Sequence, residues 1–301
     1  MCYNIMRKKL MEKHSSMQKE MVCRKLHPEE HIRTRQLWEK IFTEDTPGFL
    51  DYYYSVKTSD NEIYVIEDNG EIVSMIHLNP YQMRVEDKIY HAHYIVAVAT
   101  DKKYRHQGLM RQLLNYTMGI MADRGEPFTF LMPANEAIYK PFGFDFIYEQ
   151  KREKVMGKQS NDDSLKITQA YKDDCQAIAH FANETLQNYD VVTWRDAKYY
   201  KTLLSELASE DGGILIAEKD SQIVGIFPYA RGLKLQMHEP LMKEKSVLQH
   251  AIYHLTGNET DSVLCTGYGS KESKPIIMAK VLNPELNFDL KNAKVFINEV
   301  V

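Results

Sequence analysis

The stretch YIVAVATDKKYRHQGLMRQLL, Tyr94 to Leu114, constrains the fold more than any other part of the chain. An apolar strand runs through a basic, glycine-containing turn directly into an amphipathic helix. Backbone N–H groups of such a turn, with the unpaired amides of the first helical turn, offer several donors and a partial positive charge to a bound phosphate. Gly108 lets the backbone come close, while Lys102, Lys103, Arg105 and His106 add positive charge. The segment reads as a pyrophosphate cradle rather than a solvated basic turn, because it lies between strand and helix.

Other phosphate binders are excluded by spacing. The chain has no Gly-x-Gly-x-x-Gly after a first strand with an acidic residue ~20 positions on, and no Gly-x-x-x-x-Gly-Lys-Ser/Thr. Neither a dinucleotide-binding fold nor a P-loop hydrolase is indicated. A net charge of -4 and a pI near 6.3 argue against a nucleic-acid protein and leave room for a cationic small molecule. The four cysteines, Cys2, Cys23, Cys175 and Cys265, have neither metal-ligand spacing nor the density of a disulfide framework, so a reducing cytoplasm and no metal are expected. No apolar run approaches the ~20 residues needed to span a bilayer, and no membrane partner is expected.

Residues 1–20 are expected to be a flexible extension, with the fold beginning at Met21. His27 to Phe42 reads as one helix with Ile32, Leu37, Trp38, Ile41 and Phe42 on its apolar face. Glu62 to Ile66 and Ile72 to Leu78 read as a hairpin around Asn69-Gly70, a pair suited to positive φ. Tyr90 to Ala99, Pro127 to Met132 and Gly143 to Lys151 are further predicted strands. The cradle's helix turns Leu109, Leu113, Leu114, Met118 and Met121 inward.

The segment VAVATDKKYRHQGLMRQLL resembles the acetyl-coenzyme A motif of the GNAT superfamily of N-acetyltransferases, with core pattern Arg/Gln-x-x-Gly-x-Gly/Ala. Arg105, Gly108 and Met110 stand at its marked positions, Met110 where the family usually has a small residue. FLMPANEAIYKPFGFDF, Phe130 to Phe146, with DYYY at 51–54 and SMIHLNPY at 74–81, is similar to the Eis-like (enhanced intracellular survival) branch. The resemblance implies acetyl-CoA as cofactor, held by Val96, Ala97, Val98, Lys103, Arg105, His106, Gln107, Gly108, Leu109 and Met110. It also implies that Tyr139 protonates the departing thiolate and that the terminal carboxylate, here Val301, is the general base. Eis-like proteins usually continue into a sterol-carrier-like domain, for which this chain is too short; the branch leaves self-association open.

The second half repeats the scaffold. IYVIEDNGEIVSMI, 63–76, lies without a gap on ILIAEKDSQIVGIF, 214–227, with Ile, Glu and the Ile-Val pair recurring in place. Helices are expected at Asp173 to Leu186, Trp194 to Leu207 and Glu244 to Leu255. Strands at Lys274 to Leu282 and Val295 to Val301 should finish the second half. Arg-x-x-Gly-x-Gly does not recur. The expected fold is α/β (α+β): tandem GNAT-like units, each a mixed, mostly antiparallel sheet flanked by helices. A catalytic domain over 21–156, a linker over 157–164 and a degenerate second domain over 165–301 are expected, with one active site.

The chemistry sets the remaining expectations. A lysine-like amine, with a reference pKa of ~10.4, must lose a proton before it attacks a carbonyl. Negative charge then develops on the carbonyl oxygen, and a free N–H at Val96 to Val98, where the strand splays, is a natural donor. Besides Val301, the candidate bases are Glu299, His91 and His93. Asp51 with Tyr52 and Tyr53 would draw a cationic amine to an aromatic wall, or would be a helix end with core aromatics. The expected activity is direct acetyl transfer in a ternary complex to a primary amine: a small molecule, a polyamine or a lysine side chain. The alternative is a non-catalytic acyl-CoA-binding sensor or interaction protein.

Overall fold

The computed structural model describes residues 21–283 and 288–299; the expected N-terminal extension, 1–20, and Val301 lie outside the described residues. The first half supplies strands β1 (Cys23–Lys25), β2 (Glu62–Asp68), β3 (Glu71–Val85), β4 (Lys88–Thr100), β5 (Phe128–Leu131) and β6 (Asp145–Met156). Its helices are α1 (Arg35–Ile41), α2 (Pro47–Ser55), α3 (Leu109–Asp123) and the short α4 (Glu136–Tyr139). The second half adds β7 (Leu165–Gln169), β8 (Val191–Thr193), β9 (Gly213–Lys219), β10 (Gln222–Ala230), β11 (Gln236–His238), β12 (Leu241–Met242), β13 (Ser262–Thr266), β14 (Glu272–Val281) and β15 (Val295–Phe296). With them come helices α5 (Cys175–Thr185), α6 (Ala197–Ser209) and α7 (Lys245–Thr256).

Among the described residues the strands join one mixed, mostly antiparallel sheet, ordered β1-β2-β3-β4-β5-β14-β6-β13-β11-β10-β9-β7. The fold is α/β, with helices packed on this sheet. The two predicted hairpins coincide under the same gapless alignment, β2–β3 with β9–β10. Each turns through two residues of positive φ, Asn69-Gly70 and Asp220-Ser221, the geometry whose twist matches paired strands. Lys274 to Leu282 does form a strand, but it sits between β5 and β6 and joins the first half's sheet.

Two local departures shape the site. The predicted helix at 27–42 is a 3-10 segment, Pro28–Thr34, followed by α1. Three residues per turn shifts the apolar stripe, so Ile32 faces solvent at 54% exposure while Leu37 and Trp38 are buried. Strand β3 continues past Leu78 through Pro80 to Val85. Proline is tolerated there because β2 ends with Glu62 opposite Leu78, so Pro80 needs no donor on that side. Strand β8 pairs with β3 again at Met83 to Val85, and the stretch left between, Pro80 to Gln82, forms part of a cavity wall.

Candidate active site

The cradle forms where β4 ends. The Asp101 side chain accepts from the Lys103 amide at 2.9 Å and ion-pairs with Lys40. The Tyr104 hydroxyl donates to Asp68 at 2.8 Å, fastening the turn to the β2–β3 hairpin. His106 at φ 64° and Gly108 at φ 82° then reverse the chain into α3. A Cβ built on Gly108 meets nothing within 4 Å, so the space above the helix start is open. Lys102, Lys103, Arg105, His106 and Gln107 are exposed around it.

Leu109 is buried as the anchor of this turn, and Met110 packs partly against the core. The helix's first amides keep no intrahelical partner. These residues therefore fit a pyrophosphate, and the large side chain at Met110 is accommodated by the core.

The strand above the cradle splays. β4 pairs with β5 in parallel through Tyr94↔Phe130 and Ile95↔Leu131 and no further. Its pairing with β3 slips between His77↔Val96 and Met75↔Ala99, leaving a bulge at Ala97-Val98, where Ala97 has φ 50°. From Val96 onward, the side of β4 that faced β5 carries no ladder. Beyond Leu131, Met132 reaches the wall of a cavity of about 900 Å³.

Both halves of the chain line this cavity, Lys57, Tyr81 and His91 from the first and Tyr199, Glu206, Glu239 and Glu299 from the second. Eight lining residues are Asp or Glu and two are Lys, so the field inside favours cations. One of the two, Lys198, is ion-paired with Asp60 at 2.5 Å. The other, Lys57, is buried; its amine donates to the Tyr81 hydroxyl at 2.9 Å and lies 4.5 Å from that ring's centre. Burial lowers the Lys57 pKa against the pull of Glu206, Glu299 and Asp60.

The carboxylates differ in what holds them. The Tyr199 hydroxyl lies 3.1 and 3.2 Å from the two Glu299 oxygens. Glu239 is ion-paired with the fully buried Arg195, and burial still pushes its carboxyl up to about 7. Glu206 receives one bond, from the Tyr52 hydroxyl at 2.9 Å to Oε2. Burial pushes Glu206 up to about 7, against the opposing pull of Lys57 and the Tyr52 hydrogen bond.

Tyr139 ends α4, is buried, and packs edge-on against Phe144 at 6.0 Å. Phe142, in the same segment, lies under Arg111 of α3 at 5.1 Å, tying Tyr139's loop to the cradle helix. Burial pushes the Tyr139 phenol up to about 12, which keeps its proton on at neutral pH. Tyr139 does not line the cavity. It is linked to it through Tyr94, whose hydroxyl bonds the Met132 backbone and feels both Tyr139 and Glu299.

The remaining expected residues divide. His91 lines the cavity, and burial lowers its pKa. His93 is buried against Glu126 at 2.8 Å, away from the cavity wall. Asp51 is exposed and pairs with Arg35 at 2.6 Å, and Tyr53 is wholly enclosed, its hydroxyl bonded to Asn79 at 3.0 Å. Neither lines the cavity: helix α2 turns Asp51 to solvent and Tyr53 into the core, and Tyr52 alone of the trio makes a side-chain hydrogen bond to a cavity residue, Glu206. Lys57, Arg195, Glu206 and Glu239 carry no motif. One signal marked Glu206, since it falls at helical spacing from Tyr199 and Leu203 on an otherwise apolar face of α6.

Residues 22–147 match the model of a family described as acetyltransferase (GNAT) domain. Solved structures of the same fold include a probable N-acyltransferase from Enterococcus faecalis V583 (16% identity, 87% of this chain and 72% of that one, TM-score 0.73). Eis1 from Mycobacterium abscessus is 10% identical, over 87% and 74% of the two chains, at TM-score 0.60. A tandem GNAT protein from the clavulanic acid biosynthesis pathway is 9% identical, over 88% and 99%, at TM-score 0.57. No curated protein matches the sequence. The stretch 22–147 thus matches a GNAT acetyltransferase domain and supports an acyltransferase enzyme, a class whose cofactors are acyl-CoAs.

Proposed function

We propose that the protein is an acetyl-CoA-dependent N-acetyltransferase of the Eis-like kind that acetylates a primary amine on a multiply cationic small molecule. A polyamine is the simplest member of that class, and a lysine side chain is the peptide counterpart of its primary amine. The observation that carries the reading is the junction of two features: β4 and β5 part above a phosphate-shaped turn, and the gap meets a cavity lined by eight carboxylates.

Lys103, Arg105, His106, Gln107, the Gly108 backbone and the first amides of α3, at Leu109 and Met110, would hold the pyrophosphate. The bulge at Ala97-Val98 interrupts the ladder there, and backbone amides of Val96 to Val98 would bind the acyl oxygen as negative charge develops. When bound, acetyl-CoA supplies the acyl group as a thioester. Tyr139, kept protonated by burial, would hold its proton for the sulfur. A cavity carboxylate would accept the amine's proton. Glu299, two residues before Val301, places the end of the described chain on that cavity wall.

The domain division fits this role, with 21–156 binding cofactor, 157–164 linking, and 165–301 closing the acceptor cavity. Thiol release from acetyl-CoA tests the reading. A panel graded from monoamines to polyamines should give saturable turnover that rises with acceptor charge. A flat response across the panel would contradict it.

A further inference from the structure

Of the four cavity carboxylates Asp60, Glu206, Glu239 and Glu299, Glu206 is the least committed. Asp60 is ion-paired with Lys198, Glu239 with Arg195, and both oxygens of Glu299 face the Tyr199 hydroxyl. Glu206 receives only the Tyr52 hydroxyl, and only on Oε2. We propose that Glu206, on helix α6 of the second half, is the catalytic base that takes the acceptor amine's proton, and that Lys57 is a positioning residue holding it ionised.

In that step the N–H bond of the ammonium breaks, its electron pair stays on nitrogen, and the proton bonds to Glu206 Oε1. The neutral acid later returns the proton to water. The inference rests on the acetyltransferase reading and adds to it a chemical role for the second half of the chain.

The setting suits the task. An ordinary carboxylate at ~4.3 lies about six pH units below an amine at ~10.4, so it seldom holds the proton. Burial raises Glu206 to about 7 and roughly halves that gap. The groups facing it set where it stops: Lys57 and the Tyr52 hydroxyl favour the ionised form, Glu299 and Glu210 disfavour it. The Tyr81 and Tyr94 phenols feel Glu206 in turn. Met132, the first residue past the last β4–β5 pair, lines the same cavity as Glu206, so the carboxylate faces the space into which the strands part. Lys57 makes no ion pair among the described residues, and its charge is held on Tyr81 facing the same cavity.

The test uses the full chain, acetyl-CoA and a polyamine that the wild type turns over. E206Q should bind acetyl-CoA within about twofold of wild type and lose about 10²-fold or more in kcat, as removal of a general base does. E299Q should lose less. The acid limb of kcat/KM, near pH 7 in the wild type, should move up by about one unit in K57M, since a nearby opposite charge is removed. K57R should restore it. E206Q turnover within threefold of wild type with cofactor binding intact, or an acid limb unmoved in K57M, would overturn the inference and leave the acetyltransferase reading standing. Absence of acetyl-CoA binding by the wild type would overturn both. Should E206Q fold poorly, the K57M and K57R profiles decide alone.

Discussion

The Tyr52 hydroxyl donates a hydrogen bond of 2.9 Å to Glu206, a partner 154 residues further along the chain. It is a direct link between a helix of the first half and one of the second, made at the wall of the cavity both share. Replacing Tyr52 with Phe removes the donor and leaves the partner partly buried. Urea unfolding should show a loss of about 1–2 kcal/mol. The activity profile should gain an acid limb at higher pH, because the lost bond favoured the ionised carboxylate.

Tyr139→Phe keeps the ring packed on Phe144 and removes only the phenol proton. Turnover should fall 10²-fold or more while acetyl-CoA affinity, measured by calorimetry, stays within about twofold. An unchanged rate would remove Tyr139 from the chemistry.

The cradle makes two separable predictions. Gly108→Ala meets no clash but forces an L side chain to φ 82°, a cost of about 1–2 kcal/mol, and fills the open space above the helix. Cofactor affinity should drop at least tenfold, with little loss elsewhere. Arg105→Ala leaves the backbone alone and removes one exposed charge. Its affinity loss should shrink as salt rises, because exposed charges are screened.

Glu206 also ties stability to pH. Its folded value near 7 lies above the unfolded value near 4.5, so its contribution is fully present below about pH 4.5 and is lost as pH rises through 7. Glu206→Gln should therefore match the wild type in unfolding free energy at pH 4 and exceed it at pH 8, by at most about 3 kcal/mol. An equal difference at both values would mean that the carboxylate is not held near 7 by burial.

What the sequence made legible followed local physics. The Asn69-Gly70 turn, the gapless repeat at Asp220-Ser221 and the strand–turn–helix of the cradle each depend on contiguous residues, and each folds as read. The acceptor side was not legible, because it is assembled at long range. Asp51 and Tyr53 carry attractive chemistry, yet α2 points one to solvent and one into the core. Glu206, Lys57 and Glu239 look ordinary in the sequence and acquire their character only when the two halves enclose them. Strand β14 shows the same limit, since its pattern predicts a strand while its place between β5 and β6 depends on the whole sheet.

The central claim joins the phosphate cradle to an acidic acceptor cavity across one gap. Steady-state thiol release from acetyl-CoA by the purified full chain, with a polyamine as acceptor, measures that junction directly. Saturable release dependent on both compounds, slowed about 10²-fold or more in Tyr139→Phe and weakened in affinity by Gly108→Ala, is the predicted result. Tight acetyl-CoA binding with no release above background for any cationic amine would contradict the account and favour a non-catalytic acyl-CoA sensor.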